Sequence, residues 1–291
     1  MRIPYYPGCT LKTTAKGFED SAIAVAKELG IELQEIPNWI CCGTVFSLSS
    51  DDLMHLIAPI RNLLRVQQAG EKRVATLCAM CYNTLKQSNE RVKENPDELE
   101  KLNGVMYTEE EEYKGEVEVY HFLEILKNEI GFDRIREKVK KPLRGFKVAP
   151  YYGCLLVRPE RVGIDDAENP QIIKELVESL GGSVVDFPYA VECCGSYQTV
   201  NAPEVVANRT KRIIDMAREV GANSLVLSCP LCSFNLDARQ KDIQEKYPGF
   251  LPLPVFYFTQ LMALAFGFGK EVCHFDLNSI PVDEVLKGVE V

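Results

Sequence analysis

Apolar positions along the chain alternate between short buried-looking runs and longer stretches with helical spacing. In the first half, Thr13 to Leu29 is predicted as a helix stopped by Gly30, Ile31 to Ile36 as a strand, and Asp51 to Ala69 as a helix stopped by Gly70. Arg73 to Leu77 then forms a strand, a helix begins near Ala79, and Val117 to Tyr120 is a strand leading into another helix. In the second half, Asn169-Pro170 supplies an N-cap and first-turn proline, and Ile172, Ile173, Leu176, Val177 and Leu180 share one face before Gly181-Gly182. Val184 to Phe187, Ser224 to Leu227 and Leu253 to Tyr257 are the matching strands. The uncharged run Leu251 to Gly269 has the length of a membrane span but contains Pro252, Pro254, Thr259, Gln260, Gly267 and Gly269, so it reads as a buried strand entering a short helix.

Strands alternating with helices imply an α/β fold with parallel sheets and right-handed crossovers. The halves match each other, which predicts two pseudo-symmetric domains, residues 1–145 and 146–291, each a small parallel sheet flanked by helices. Glu109 to Glu112 and Arg134 to Arg144 read as solvated helix and linker surface.

Composition changes this picture little: 46% apolar and 26% charged residues over 291 positions describe an ordinary folded protein with room for a core. A net charge of −9, present in both halves, argues against a nucleic-acid or anionic-lipid surface and leaves proteins or small molecules as partners. The N-terminus MRIPYYPGCT lacks a basic region followed by an apolar one, so the expected compartment is the reducing cytoplasm.

The cysteines change it more. Eleven are present, and ten form one pattern used twice: Cys9, Cys41, Cys42, Cys78 and Cys81, then Cys154, Cys193, Cys194, Cys229 and Cys232. Pro4-Tyr5-Tyr6-Pro7-Gly8-Cys9 answers Pro150-Tyr151-Tyr152-Gly153-Cys154, Cys41-Cys42-Gly43 answers Cys193-Cys194-Gly195, and TLCAMCYNTL answers LSCPLCSFNL. The offset is 145 at the first cysteine and 152 at the adjacent pair, so the second half carries seven extra residues, most simply between Leu155 and Asn169. Each group lies just beyond the carboxyl end of a strand, where open α/β sheets bind ligands and where distant groups can converge.

Disulfides suit neither the compartment nor an odd five per half. Zinc takes four ligands, which leaves the fifth cysteine unexplained. A cluster of several irons accommodates more thiolates. Gly43 and Gly195 would let the backbone turn so that both adjacent cysteines serve one site, and would let it approach a cluster closely. The Cys-x-x-Cys pairs begin helices, whose exposed N–H groups favour anionic sulfur.

This doubled Cys…Cys-Cys-Gly…Cys-x-x-Cys arrangement resembles the tandem CCG-domain iron–sulfur family to which the catalytic B subunit of heterodisulfide reductase belongs, over residues 1 to about 265. The resemblance implies a non-cubane [4Fe-4S] cluster on each set of five cysteines, and reduction of the coenzyme M–coenzyme B mixed disulfide between the two clusters. It also implies partners: a ferredoxin-like C subunit that supplies electrons, a flavin-containing A subunit, and in some complexes a hydrogenase or formate dehydrogenase. The chain has no ferredoxin cysteine run, Rossmann fingerprint or P-loop of its own. The doubling suits the chemistry, since a disulfide takes two electrons while clusters pass one at a time, and each cluster could take one sulfur.

Two alternatives remain at this point: a CCG-type component of another reductase, such as thiol:fumarate reductase or those of glycolate and lactate oxidation, and a non-catalytic zinc- or cluster-binding protein. Among the other residues, Lys12 and Arg158 follow the first cysteine of each set and are candidates to meet anionic coenzymes, although ordinary surface charge also accounts for them. His55, after the first Cys-Cys-Gly, is a candidate proton donor or a packing residue. His121, with Phe258 as its expected counterpart, reads as structural. Cys273 reads as a plain thiol, and the paired tyrosines as packing around the centres or lining the cleft.

Overall fold

A computed structural model of the chain describes residues 1–44 and 53–287. The first half forms β1 (Arg2–Tyr5), α1 (Lys16–Glu28), β2 (Glu32–Glu35), α2 (Met54–Gln68), β3 (Arg73–Thr76), α3 (Ala79–Glu94), α4 (Pro96–Val105), β4 (Glu118–His121), α5 (Phe122–Ile125) and α6 (Phe132–Glu137). The second forms β5 (Lys147–Pro150), α7 (Ile172–Ser179), β6 (Ser183–Val184), α8 (Gln198–Asn201), α9 (Pro203–Glu219), β7 (Ser224–Leu227), α10 (Pro230–Ser233), α11 (Arg239–Lys246), β8 (Val255–Tyr257), α12 (Phe258–Ala265) and α13 (Asp283–Lys287).

Each half is a four-stranded parallel sheet, in the orders β2-β1-β3-β4 and β6-β5-β7-β8. The central strands are the most apolar: β7 is buried throughout, and β1 and β3 each bury three of four residues, as strands covered on both faces require. From β1 the chain crosses to β2 on one side, and from β3 to β4 on the other. The β1/β3 boundary is therefore a topological switch point, as is β5/β7, and the loops leaving these strands flank a crevice. Cys9 and Cys78 leave one such pair, Cys154 and Cys229 the other.

The two sheets are tied through their cores. Helix α12 packs on α1, where Phe18 stacks on Tyr257 at 4.2 Å and Ser21 Oγ meets Thr259 Oγ1 at 2.6 Å. Ala79 N–H donates to Ser228 O at 3.2 Å. Leu251 to Gly269 is, as expected, a strand running into a buried helix, and among the described residues no helix is long and apolar enough to cross a membrane.

Several expected boundaries move. Helix α1 begins at Lys16 because residues 10–15 form turns, with Ala15 N–H bonded to Thr10 O and the Thr13 hydroxyl to Cys9 O. The expected start of the second helix at Asp51 lies outside the described residues. Asn169 does not cap α7. The Asp165 carboxylate accepts the N–H groups of Gln171 and Ile172, both at 2.6 Å, and the Tyr152 hydroxyl accepts those of Ile173 and Lys174. The strand expected over Val184 to Phe187 is only Ser183–Val184, and the chain leaves the sheet edge after Val185 N–H bonds Val148 O. The extra residues of the second half do lie where the offset predicts. They form a loop with a 3-10 turn at Glu160–Val162 that docks on α3: Tyr82 OH bonds Val162 O, and Asn83 Nδ2 bonds Leu155 O and Arg158 O, each at 2.8 Å.

The repeat register also needs correction at its start. Tyr6 N–H bonds Ala75 O and Tyr151 N–H bonds Val226 O, so Tyr6 answers Tyr151 and Gly8 answers Gly153 at a uniform offset. Matching Pro4 to Pro150 by identity is one residue out.

Candidate metal centres

The strand-end loops bring each set of five thiols together. In the first set, Cys42 Sγ lies 3.6 Å from Cys81 Sγ, Cys78 caps α3 by accepting Cys81 N–H at 3.5 Å, and Cys9 and Cys41 stand at the exposed rim. In the second, Cys194 Sγ lies 3.4 Å from Cys232 Sγ, Gly195 N–H donates to Cys193 Sγ and Ser196 N–H to Cys194 Sγ, both at 3.4 Å. Cys154 and Cys193 are half-buried, so the second set is the more enclosed. The sets face each other across the boundary, where Ala79 N–H, next to Cys78, bonds Ser228 O, next to Cys229, at 3.2 Å.

The tyrosines fix these loops. Tyr6 OH donates to Ile40 O at 2.9 Å and Tyr151 OH to Glu192 O at 2.6 Å, in each case the carbonyl just before the adjacent cysteines. Burial, followed by the nearby thiols, pushes both phenols well up in pKa, so they remain neutral donors. Gly43 and Gly195 do turn with φ of +80° and +101°. Added Cβ atoms would meet Ala58 Cβ at 3.1 Å and Val206 Cγ2 at 2.9 Å, on the helices behind. The glycines that lie against thiols are Gly8, whose Cβ would stand 2.9 Å from Cys81 Sγ, and Gly153, 3.5 Å from Cys232 Sγ. Both stand in the quoted repeat, so positive φ beside the first cysteine was the signal available.

Crowding separates the thiols electrostatically. Cys42 is pushed down by bonds from the Cys41 and Cys81 thiols, while Cys41 is pushed up by its bond to Cys42 and Cys81 by its bonds to Cys42 and Cys78. In the second set, bonds from Cys154 and Cys194 bring Cys193 down to about 2, and bonds from Cys232 and Cys78 bring Cys229 well down. Cys154 is pushed up by its bond to Cys193, Cys194 up to about 12 by its own bond to Cys193, and Cys232 up by its bonds to Cys194 and Cys229. The neighbouring thiols push one another's pKa values apart, and ionising all five together would require positive charge at the centre.

The remaining candidates are placed differently. Lys12 pairs with Glu19 at 2.8 Å and Glu35 at 2.6 Å, and Arg158 with Glu168 at 2.6 Å. His55 is half-buried on α2. His121 is buried and bonds Leu77 O at 2.7 Å, while its Nδ1 accepts Leu123 N–H to cap α5. Its counterpart by strand register is Tyr257, not Phe258, since Thr76 pairs with His121 and Leu227 with Tyr257. Cys273 is buried, its thiol raised to about 12 by burial. Its carbonyl accepts Gln260 Nε2–H at 2.6 Å, consistent with a packing role.

Tyr197 escaped the sequence reading. Its hydroxyl reaches across the boundary to Thr44 Oγ1 at 2.5 Å and Met80 Sδ at 3.5 Å, and its repeat counterpart, Val45, lies outside the described residues. Next to it, a small cavity of about 20 Å³ is walled by Ala79 and Met80 of the first half and by Cys154, Cys194, Cys229 and Cys232 of the second.

Comparison with known proteins fits this duplicated architecture. Residues 3–86 and 148–237 each match the CCG family, described as a cysteine-rich domain. The chain is 33% identical over 264 residues to the membrane anchor of the 8-methylmenaquinol:fumarate reductase of Wolinella succinogenes, covering 90% of this chain and 91% of that one. It is 28% identical over 290 residues to the B subunit of the ferredoxin/F420H2-dependent CoB-CoM heterodisulfide reductase of Methanosarcina acetivorans, covering 98% and 96%. The crystal structure of a hypothetical protein from Helicobacter pylori superposes with a TM-score of 0.77 at 13% identity, over 97% of this chain and 52% of that one. The present chain thus spans about half of that protein and shares its fold. With both halves matched and nearly full-length relatives, the chain belongs to the CCG cysteine-rich domain family, in tandem.

Proposed function

We propose that this chain is the catalytic component of a heterodisulfide reductase, reducing the coenzyme M–coenzyme B mixed disulfide to two thiols. The observation that carries the reading is the meeting of the two five-cysteine sets at the boundary of the halves, where Ala79 N–H, next to Cys78, bonds Ser228 O, next to Cys229. The relatives named as the B subunit of that enzyme support it.

The residues suit two [4Fe-4S] clusters, with Cys9, Cys41, Cys42, Cys78 and Cys81 holding one and Cys154, Cys193, Cys194, Cys229 and Cys232 the other. Gly8 and Gly153 leave room beside a ligand sulfur, and the crowded thiols call for a cationic centre. When bound, such clusters supply electrons one at a time. The non-cubane form rests on the family resemblance. The chain itself fixes the thiol-bearing loops through Tyr6 and Tyr151, presents Cys78 and Cys81 at the positive end of α3, and bonds the Tyr197 hydroxyl to Met80 at the wall of the cavity. Two centres facing each other across the boundary would allow each sulfur of the substrate to be met from its own side. Lys12, Arg158 and His55 are assigned to substrate and proton contacts, which would require the two cations to exchange their present carboxylates. Electrons would come from a ferredoxin-like C subunit, fed by a flavin-containing A subunit and by a hydrogenase or formate dehydrogenase, in the cytoplasm.

Anaerobically purified protein should hold about eight irons per chain, four for each cluster, and should consume the mixed disulfide with a reduced dye as donor. Fully iron-loaded protein that leaves the disulfide intact would sink the reading, as would zinc in place of iron. A second reading, a component of a quinol-linked fumarate reductase, is favoured by the 33% identity to that Wolinella protein. It predicts that the loaded chain accepts electrons from a reduced quinol and ignores the disulfide.

A further inference from the structure

The two centres differ around their buried adjacent-cysteine thiols. Cys42 and Cys194 hold corresponding places, and Cys194 receives the backbone N–H two residues on, from Ser196. Cys194 alone also receives Asn235 Nδ2–H, at 3.3 Å. The same amide bonds Ser196 O at 3.0 Å, which fixes the nitrogen end toward the sulfur. Asn235 is wholly buried with its Oδ1 unpartnered. It sits in a π-helical segment, Phe234–Ala238, that interrupts the helix after Cys232, a local irregularity frequent at functional sites. In the first half α3 runs unbroken, and Thr84 occupies the place of Asn235 in the repeat.

A cation adds to the difference. Arg209 Nε–H donates to Cys193 O at 2.8 Å and its charge acts on the Cys193 thiol, partly offset by the Glu192 carboxylate at 3.1 Å. Counting from the contacts of Gly43 with Ala58 and of Gly195 with Val206, the corresponding residue is Arg61, and it pairs with Glu109 at 2.9 Å instead. The backbone before Cys41 is held by a neutral amide, Asn62, bonded to Ile40 N–H at 2.9 Å and to Ile40 O at 3.0 Å.

We infer that Asn235 and Arg209 set the second five-cysteine centre at a higher reduction potential than the first. The inference rests on the iron–sulfur reading above. Hydrogen bonds to ligand sulfur and nearby positive charge both stabilise the more negative, reduced form, which raises a cluster's potential. A single electron from a low-potential one-electron donor therefore resides mainly on the second centre, and the first centre fills only with the next.

The test is a potentiometric titration of the loaded protein followed by electron paramagnetic resonance, with iron measured on the same sample. Two separate midpoints are expected. Asn235→Thr and Asn235→Leu should each lower the upper one by a tenfold change in the one-electron equilibrium, about 59 mV. Arg209→Gln should lower it by less, because Glu192 already offsets part of that charge. The lower midpoint should stay in place throughout. Coincident midpoints in the parent protein overturn the inference, as do iron-replete Asn235 variants in which the lower midpoint moves or neither does. A chain that binds no iron removes the cluster reading itself, an outcome the iron assay separates from the other two.

Discussion

The two halves share a sheet order and the placement of five thiols, yet they differ in how the first cysteine is connected to the first crossover helix. After Cys9 a short series of turns leads straight into α1. After Cys154 a longer loop with its own 3-10 turn precedes the shorter α7, and that loop reaches over to Tyr82 and Asn83 on α3. In return, α12 and the segment around Cys273 cover α1, where His274 Nε2 meets Asp20 Oδ2 at 2.7 Å. The repeated residues thus build each centre, whereas unrepeated residues set how the centres face each other.

The strongest challenge to the likeness of the halves is at Gly8 and Gly153. Both have left-handed backbone, φ +75° and +64°, so alanine costs about 1–2 kcal/mol at either. Only at Gly8 would the new Cβ also press on a ligand sulfur, at 2.9 Å against an ordinary 3.5 Å contact at Gly153. Gly8→Ala should cost the protein about half its iron, while Gly153→Ala retains nearly all of it. Equal losses in metal analysis would show that the two cradles are equally tight.

Acid should separate the halves next. Burial lowers the His121 pKa to about 3, whereas its counterpart Tyr257 carries no charge in that range. A depressed folded pKa means that the stability is fully present above the unfolded value near 6.5 and is lost as pH falls toward 3. The slope is about 1.4 kcal/mol per pH unit. Denaturant melts from pH 7 to 4 should show this decline, and His121→Asn, which can still cap α5, should be less stable at pH 7 but flatter below 6.5. An unchanged slope in the variant would place the acid sensitivity elsewhere.

The inserted loop offers a smaller effect. Asn83 satisfies two loop carbonyls at once, so Asn83→Ala should lower stability by about 1–3 kcal/mol in thermal melts. A loss confined to a few tenths would mean that the loop's own turns hold it without help from α3.

Much of this was legible in the order of residues alone. The central strands β3 and β7 are apolar enough to be read directly, glycines mark the helix ends, and the cysteine offsets locate the insertion, whereas the central strands β1 and β5, each with a proline in four residues, went unforeseen. What was not legible depends on distance or geometry. The cap of α7 comes from Asp165, six residues upstream of the first N–H it accepts, so the nearer Asn169-Pro170 misled. Identity of Pro4 with Pro150 outweighed the backbone register, which only the Tyr6–Ala75 and Tyr151–Val226 bonds reveal. The Ala79–Ser228 bond that brings the two Cys-x-x-Cys turns together joins residues 149 apart, and the π segment that turns Asn235 toward Cys194 leaves no periodic signature in so short a stretch.

Lys12 and Arg158 give the smallest effect and divide most clearly on environment. They follow corresponding cysteines, but the Lys12 ammonium lies between Glu35 and a nearly buried Glu19, while Arg158 has one partner, Glu168, whose side chain is 82% exposed. Removing Lys12 strands a buried carboxylate, so Lys12→Gln should destabilise by about 1–3 kcal/mol. Arg158→Gln removes an exposed pair and should change stability by less than about 1 kcal/mol. An exposed pair is also readily exchanged, which leaves the Arg158 guanidinium available to an anionic substrate at little cost. If it binds one, Arg158→Gln raises KM with kcat unchanged, the signature of binding lost equally from ground and transition states. An unaltered KM would return Arg158 to the surface and leave the anionic ends of the substrate to other residues.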